Sequence, residues 1–149
     1  MSFPAADAPV FALVDDHIHS ARLMRRALSQ APAPARLVWL GRGDRARRSL
    51  ERMLDRPGTK TPELIIVDLK SHSLATETFL SEFRNRADAT GIPMVAVTDD
   101  MSAAARNRLL QAGARAVFER HHELKAYLAE MASLTTFWIR ETVTWPIRA

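Results

Sequence analysis

The chain of 149 residues has no cysteine, only five glycines and no apolar run longer than five or six residues. The first absence excludes disulfides and thiolate metal sites. The last leaves nothing close to the roughly 20 apolar residues that a membrane-crossing helix needs. The stretch before Val10 is rich in Ala and Pro and has no basic cluster, so no signal peptide is expected. Nor is there a Gly-rich phosphate loop, a Gly-x-Ser-x-Gly elbow or a dinucleotide fingerprint, which sets aside the chemistries those motifs mark. The five histidines have no His or Glu partner at i+4, so helical zinc spacing is missing, and Ser71 and Ser73 beside His72 lack a third orienting group.

What is present is an ordinary soluble composition, 47% apolar and 26% charged, in a length that suits one domain. The formal net charge of +4 comes mainly from arginine, much of it at Arg22, Arg25, Arg26, Arg42, Arg45, Arg47, Arg48 and Arg52. No recognition motif or interleaved aromatics accompany these arginines, so they read as the wet faces of two amphipathic helices and nucleic acid is not an expected partner.

Five short β-like runs alternate with helical patterns, the signature of a parallel sheet covered on both faces. The strands are expected at 11–14, 37–40, 63–68, 94–98 and 114–118. Ile18, Ala21, Met24 and Leu28 recur at helical spacing after the first strand, and helices are expected at 45–54 and 76–86, from Ser102 through Ala112, and from near His122 onward. Asp44 is read as the cap of the second helix and Gly113 as the end of the fourth.

Two of these runs close on carboxylates, 11–14 on Asp15-Asp16 and 64–67 on Asp68. In parallel strands their carboxyl ends share one sheet edge, where open α/β folds place their ligand crevice. Three acidic groups meeting there repel one another and require positive company. A hard divalent cation such as Mg²⁺ supplies it and leaves positions open for a phosphoryl oxygen. The plainer alternative is that each Asp only caps the helix after its strand.

The last helical stripe, Leu124, Tyr127, Leu128, Met131, Leu134 and Trp138, runs longer than closing a five-stranded sheet requires, and the tail 137–146 carries two of the three tryptophans, Trp138 and Trp145. That density of aromatics reads as a contact surface, with folding back onto the same domain as the alternative.

At this point the chain resembles a response-regulator receiver domain over roughly 11–133. Asp15-Asp16 resembles the family's Mg²⁺-holding pair, Asp68 its phosphoryl-accepting aspartate, Thr98 its phosphoryl-sensing hydroxyl, and Gly113-Ala114 its turn into the fifth strand. The resemblance implies a flavodoxin-like, CheY-like doubly wound sheet in order 2-1-3-4-5 with an extended C-terminal helix or tail. It also implies Mg²⁺ held by Asp15, Asp16, Asp68 and the backbone carbonyl at Lys70, with a histidine kinase as phosphoryl donor. Output would be protein contact in the cytoplasm, without nucleic acid, membrane or conventional enzyme turnover.

The sequence departs from the family at the same pocket. Arg120 stands where the family has lysine, and its planar fork is not an equivalent replacement. Lys70 lies two residues past Asp68, its ammonium able to pair with Asp68 in place of Mg²⁺; Asp99 adds negative charge, and His121 replaces the family's proline. A degenerate receiver acting as a phosphorylation-independent dimeric module is therefore the alternative reading. A phosphatase-like enzyme is a distant third, because Lys70 fills the second position of its Asp-x-Asp pair.

The end of the chain, Phe137-Trp138-Ile139 followed by Val143-Thr144-Trp145-Pro146, is similar to the tail of single-domain regulators that partner phytochrome-type kinases. That likeness implies a bacteriophytochrome partner and a homodimer built on Leu134, Phe137, Trp138, Val143 and Trp145. The organisation expected is a flexible or disordered stretch over 1–9, a receiver domain over 10–133, and a dimer arm over 134–149.

Overall fold

The computed structural model describes residues 8–56 and 61–148, and all of their side chains except those of 143–148. The strands are β1 (Val10–Asp15), β2 (Arg36–Gly41), β3 (Leu64–Asp68), β4 (Met94–Thr98) and β5 (Ala116–Glu119). They are joined in a five-stranded sheet of order β2-β1-β3-β4-β5, and every pair is parallel. The helices are α1 (Ile18–Ser29), α2 (Gly43–Asp55), α3 (Ala75–Thr90), α4 (Ala103–Ala112) and α5 (Leu124–Arg148).

Strand alternation sorts the core into two layers. Ala12, Val14, Ile65, Val67 and Ala96 point to one face, where Leu50 of α2, Phe79, Leu80 and Phe83 of α3 and Leu109 of α4 cover them. Phe11, Leu13, Leu64, Ile66 and Val97 point to the other, against Met24 and Leu28 of α1 and Tyr127, Met131 and Leu134 of α5. The valine, leucine, isoleucine, phenylalanine and methionine side chains among them each contribute about 1.5–3 kcal/mol on burial. The expected arginine-rich helix faces are α1, where Arg22, Arg25 and Arg26 are exposed, and α2, where Arg42, Arg45, Arg48 and Arg52 are.

Several boundaries shift for identifiable reasons. Ser102 caps α4 as expected, its side chain accepting from the Ala105 N–H. Gly113, at φ +130°, ends that helix, but the Ala114 N–H is then spent on the Leu109 carbonyl, so β5 opens at Ala116 rather than 114. Gly91, in the left-handed region, lets α3 run on to Thr90. Asp44 does not cap α2. The cap position is Arg42, and Asp44 lies in the first turn, accepting from the Arg42 side chain at 2.9 Å.

The expected dimer arm needs the largest correction. The division at 133/134 falls inside α5, and Leu134 is fully buried in its own domain's core. Phe137 packs edge-on against Phe118 and Trp138 against Phe11, so these aromatics fold back. The reason is that β1 and β5 expose Phe11 and Phe118 on the face α5 covers, and α5 is long enough to reach both. The side chains of Val143 and Trp145 and residues 1–7 lie outside the described residues. Residue 9 of the expected flexible stretch is tied down, its carbonyl accepting from the Arg36 N–H at 2.8 Å.

Candidate functional site

The β1–β3 ladder sets the site. Its register pairs Asp15 with Asp68, so two carboxylates emerge from adjacent strand ends, both almost wholly buried. Asp16 follows, half-buried at the rim. Two cations meet them. Lys70 Nζ lies 2.8 Å from Asp15 Oδ1, 3.2 Å from Asp68 Oδ1 and 3.1 Å from the Asp68 carbonyl oxygen. Its backbone N–H donates to both oxygens of Asp16 at 3.1 Å. Arg120, at the end of β5, donates to Asp68 Oδ1 through Nη2 and, at 3.2 Å, through Nε, while its Nη1 pairs with Asp99 at 3.3 Å.

Burial raises the Asp15 pKa above its ordinary value, the nearby Asp68 charge adds to this, and Lys70 opposes both. The Tyr127 phenol beneath the site is pushed far up, first by burial and then by the charges of Asp68 and Asp15.

The expected metal ligands do not form a cage. Among the described residues no group of three or more His, Asp or Glu side chains is placed to hold a metal ion. A divalent cation does not fit the pocket as built, because Lys70 Nζ stands between the two carboxylates that would share it and Asp16 is turned onto the Lys70 N–H. The backbone carbonyl at Lys70 was the expected ligand, whereas it is the Lys70 side chain and N–H that engage the three acids. Thr98 lies at the edge of this cluster with its hydroxyl accepting from the Asp100 N–H at 3.1 Å. A cavity of about 480 Å³ opens beside it, lined in part by Lys70, Thr98, Asp99, Arg108 and Arg120.

Two supporting residues are not among the expected site residues. The buried Thr76 hydroxyl accepts from the Leu69 N–H at 3.0 Å and donates to the Leu69 carbonyl, pinning the turn between Asp68 and Lys70. The Trp39 indole donates to the Asp15 carbonyl at 2.7 Å. A hydroxyl near a helix start does suggest a local hydrogen bond, which is the one cue available for Thr76.

No protein-family model matches the sequence, and no curated protein does. Solved structures do match. The phosphorylated cyanobacterial phytochrome response regulator RcpA superposes with a TM-score of 0.72 at 19% identity, over 88% of this chain and 94% of that one. The fold is that of a response-regulator receiver domain. The Mn²⁺-bound form of response regulator Rcp1 gives a TM-score of 0.70 at 22% identity over 87% of this chain and 94% of that one. A response regulator in red light signaling of R. palustris gives 0.72 at 17% identity over 90% and 96%. At these identities the receiver likeness speaks for architecture. Within it, Asp15, Asp16, Asp68, Thr98 and Arg120 all stand at the carboxyl edge of the sheet.

Proposed function

We propose that the chain is a receiver-type signalling module that acts through protein contact and that does not take a phosphoryl group on Asp68 in its resting form. The observation carrying this reading is the double clamp on Asp68 Oδ1 by Arg120 and Lys70, in a side chain only 2% exposed. In-line attack needs an Asp68 oxygen free to meet the phosphorus, and here both cations hold Oδ1, so only the other oxygen of the carboxylate lies outside the clamp. Charge points the same way. Asp15, Asp16 and Asp68 against Lys70 and Arg120 leave one net negative charge, and an acyl phosphate would add to it.

The test is incubation with acetyl phosphate and Mg²⁺ followed by intact-protein mass measurement. The expected result is no phosphoryl gain under conditions that label an ordinary receiver.

Phosphoryl acceptance from a histidine kinase is the second reading, supported by the cavity that brings Thr98 and Arg120 to the acceptor's side. In that reaction an Asp68 oxygen attacks the phosphorus of a phosphohistidine, the P–N bond breaks, and the imidazole nitrogen takes up a proton. An acid-labile mass gain absent from Asp68→Asn establishes it. The phytochrome regulators among the similar structures support a phytochrome-type kinase as the partner and, with it, a cytoplasmic module.

Self-association belongs to the same reading. Trp138 meets Phe11 near the start of β1, and the ten residues of α5 beyond it extend about 15 Å further. Of the side chains expected at a homodimer contact, Leu134, Phe137 and Trp138 pack into their own domain, so the proposed contact with a second copy falls to Val143 and Trp145.

A further inference from the structure

We infer that Lys70 is a built-in replacement for a divalent cation: its ammonium fills the place between Asp15 and Asp68 and thereby keeps metal ions out. This deepens the reading of the same site given above and rests on the receiver architecture behind it. Three observations carry it. The ammonium reaches both carboxylates, at 2.8 and 3.2 Å, from a side chain that is 16% exposed. The Lys70 N–H holds Asp16, the third acid, in the same contact set. Asp15 Oδ2 is buried with no hydrogen-bond partner, so a hard oxygen donor is left unused beside the ammonium.

An ammonium brings one charge and three donor protons, whereas a divalent ion brings two charges and demands six or more oxygen ligands. With Lys70 and Arg120 both present, two of the three acidic charges are already matched, and a divalent ion would have to expel Lys70 from buried partners. Replacing the Lys70 side chain by an uncharged one of similar length removes the competitor. It leaves Asp15 and Asp68 to accept the ion, while Asp16 stays on the backbone N–H of residue 70.

The experiment uses the full chain and Mn²⁺ alone, with no phosphoryl donor. Binding is followed by calorimetry and by paramagnetic broadening of the Trp39 indole N–H resonance, a native reporter because that group is bonded to the Asp15 carbonyl. Wild type and Lys70→Arg are expected to show no site-specific broadening. Lys70→Met is expected to bind at least about tenfold tighter, since the ammonium that fills the place between Asp15 and Asp68 is gone. Lys70→Gln serves as the second variant if circular dichroism shows that Met prevents folding. Wild type binding Mn²⁺ as tightly as the variants overturns the inference, and so does a folded Met or Gln variant that binds no better than wild type. Phosphoryl incorporation into a wild type that binds no Mn²⁺ would overturn the proposed function and leave this inference standing.

Discussion

Lys70 Nζ stands 2.8 Å from the carboxylate of Asp15, a residue 55 positions away in sequence, and 3.2 Å from that of Asp68, so one side chain bridges the two strand-end acids. Arg120 completes the arrangement from β5. The acidic pocket is thus charged and paired at once, and its energetics follow from which member is removed.

Removing Arg120 leaves Asp68, a buried carboxylate, with Lys70 as its remaining cation. Breaking one partner of such a contact costs more than the contact contributes, because the survivor keeps its desolvation penalty. Arg120→Ala should lower unfolding free energy by about 1–3 kcal/mol, discounted for the guanidinium's partial exposure. Urea denaturation measures it, and a midpoint equal to wild type contradicts the clamp.

Asp15 gives a pH signature. Its folded pKa is raised above 3.8, by burial first, so the folded state holds that proton more tightly than the unfolded chain. Ionising Asp15 therefore costs stability. The cost is absent below the unfolded pKa, grows as pH rises through the window up to the folded pKa, and is constant above it. Asp15→Asn removes it. The stability difference, variant minus wild type, should rise from about pH 4 upward and then level off. Denaturant midpoints across that range test the slope, and a pH-independent difference refutes it.

Thr76→Val keeps the volume and removes the hydroxyl. The Leu69 N–H loses its acceptor inside the protein, at a cost of about 1–3 kcal/mol. Because that hydroxyl pins the turn leading to Lys70, amide exchange at Leu69 and Lys70 should accelerate beyond what global destabilisation explains. Unchanged local protection argues against a positioning role.

The C-terminal helix allows the proposed self-association to be tested apart from the core. Leu134→Ala should cost about 2–5 kcal/mol, as for other fully buried leucines, without altering the sedimentation coefficient. Deleting 143–149 should abolish concentration-dependent sedimentation and leave thermal stability nearly intact. A dimer that survives the deletion moves the contact surface elsewhere.

The alternation of apolar runs with helical stripes, and the placing of Asp15 and Asp68 at strand ends, were legible in the chain itself. Both depend on short-range periodicity and on residues next to their own strands. Side-chain partners across long separations were not. Whether Lys70 pointed outward or into the acids, and whether Phe137 and Trp138 faced solvent or Phe118 and Phe11, follows from how neighbouring strands and helices stack. The indole of Trp39 reaching the Asp15 carbonyl is of the same kind, joining residues 24 apart.

By itself the sequence determined a parallel sheet with acids at its carboxyl edge, because each strand carries its own pattern and its own terminal residue. Only the tertiary structure decided that the acids are paired from within by Lys70 and Arg120 and that the aromatic end of the chain begins as core. Those outcomes depend on which distant charges and rings share a buried space, where the cost of desolvation makes pairing obligatory.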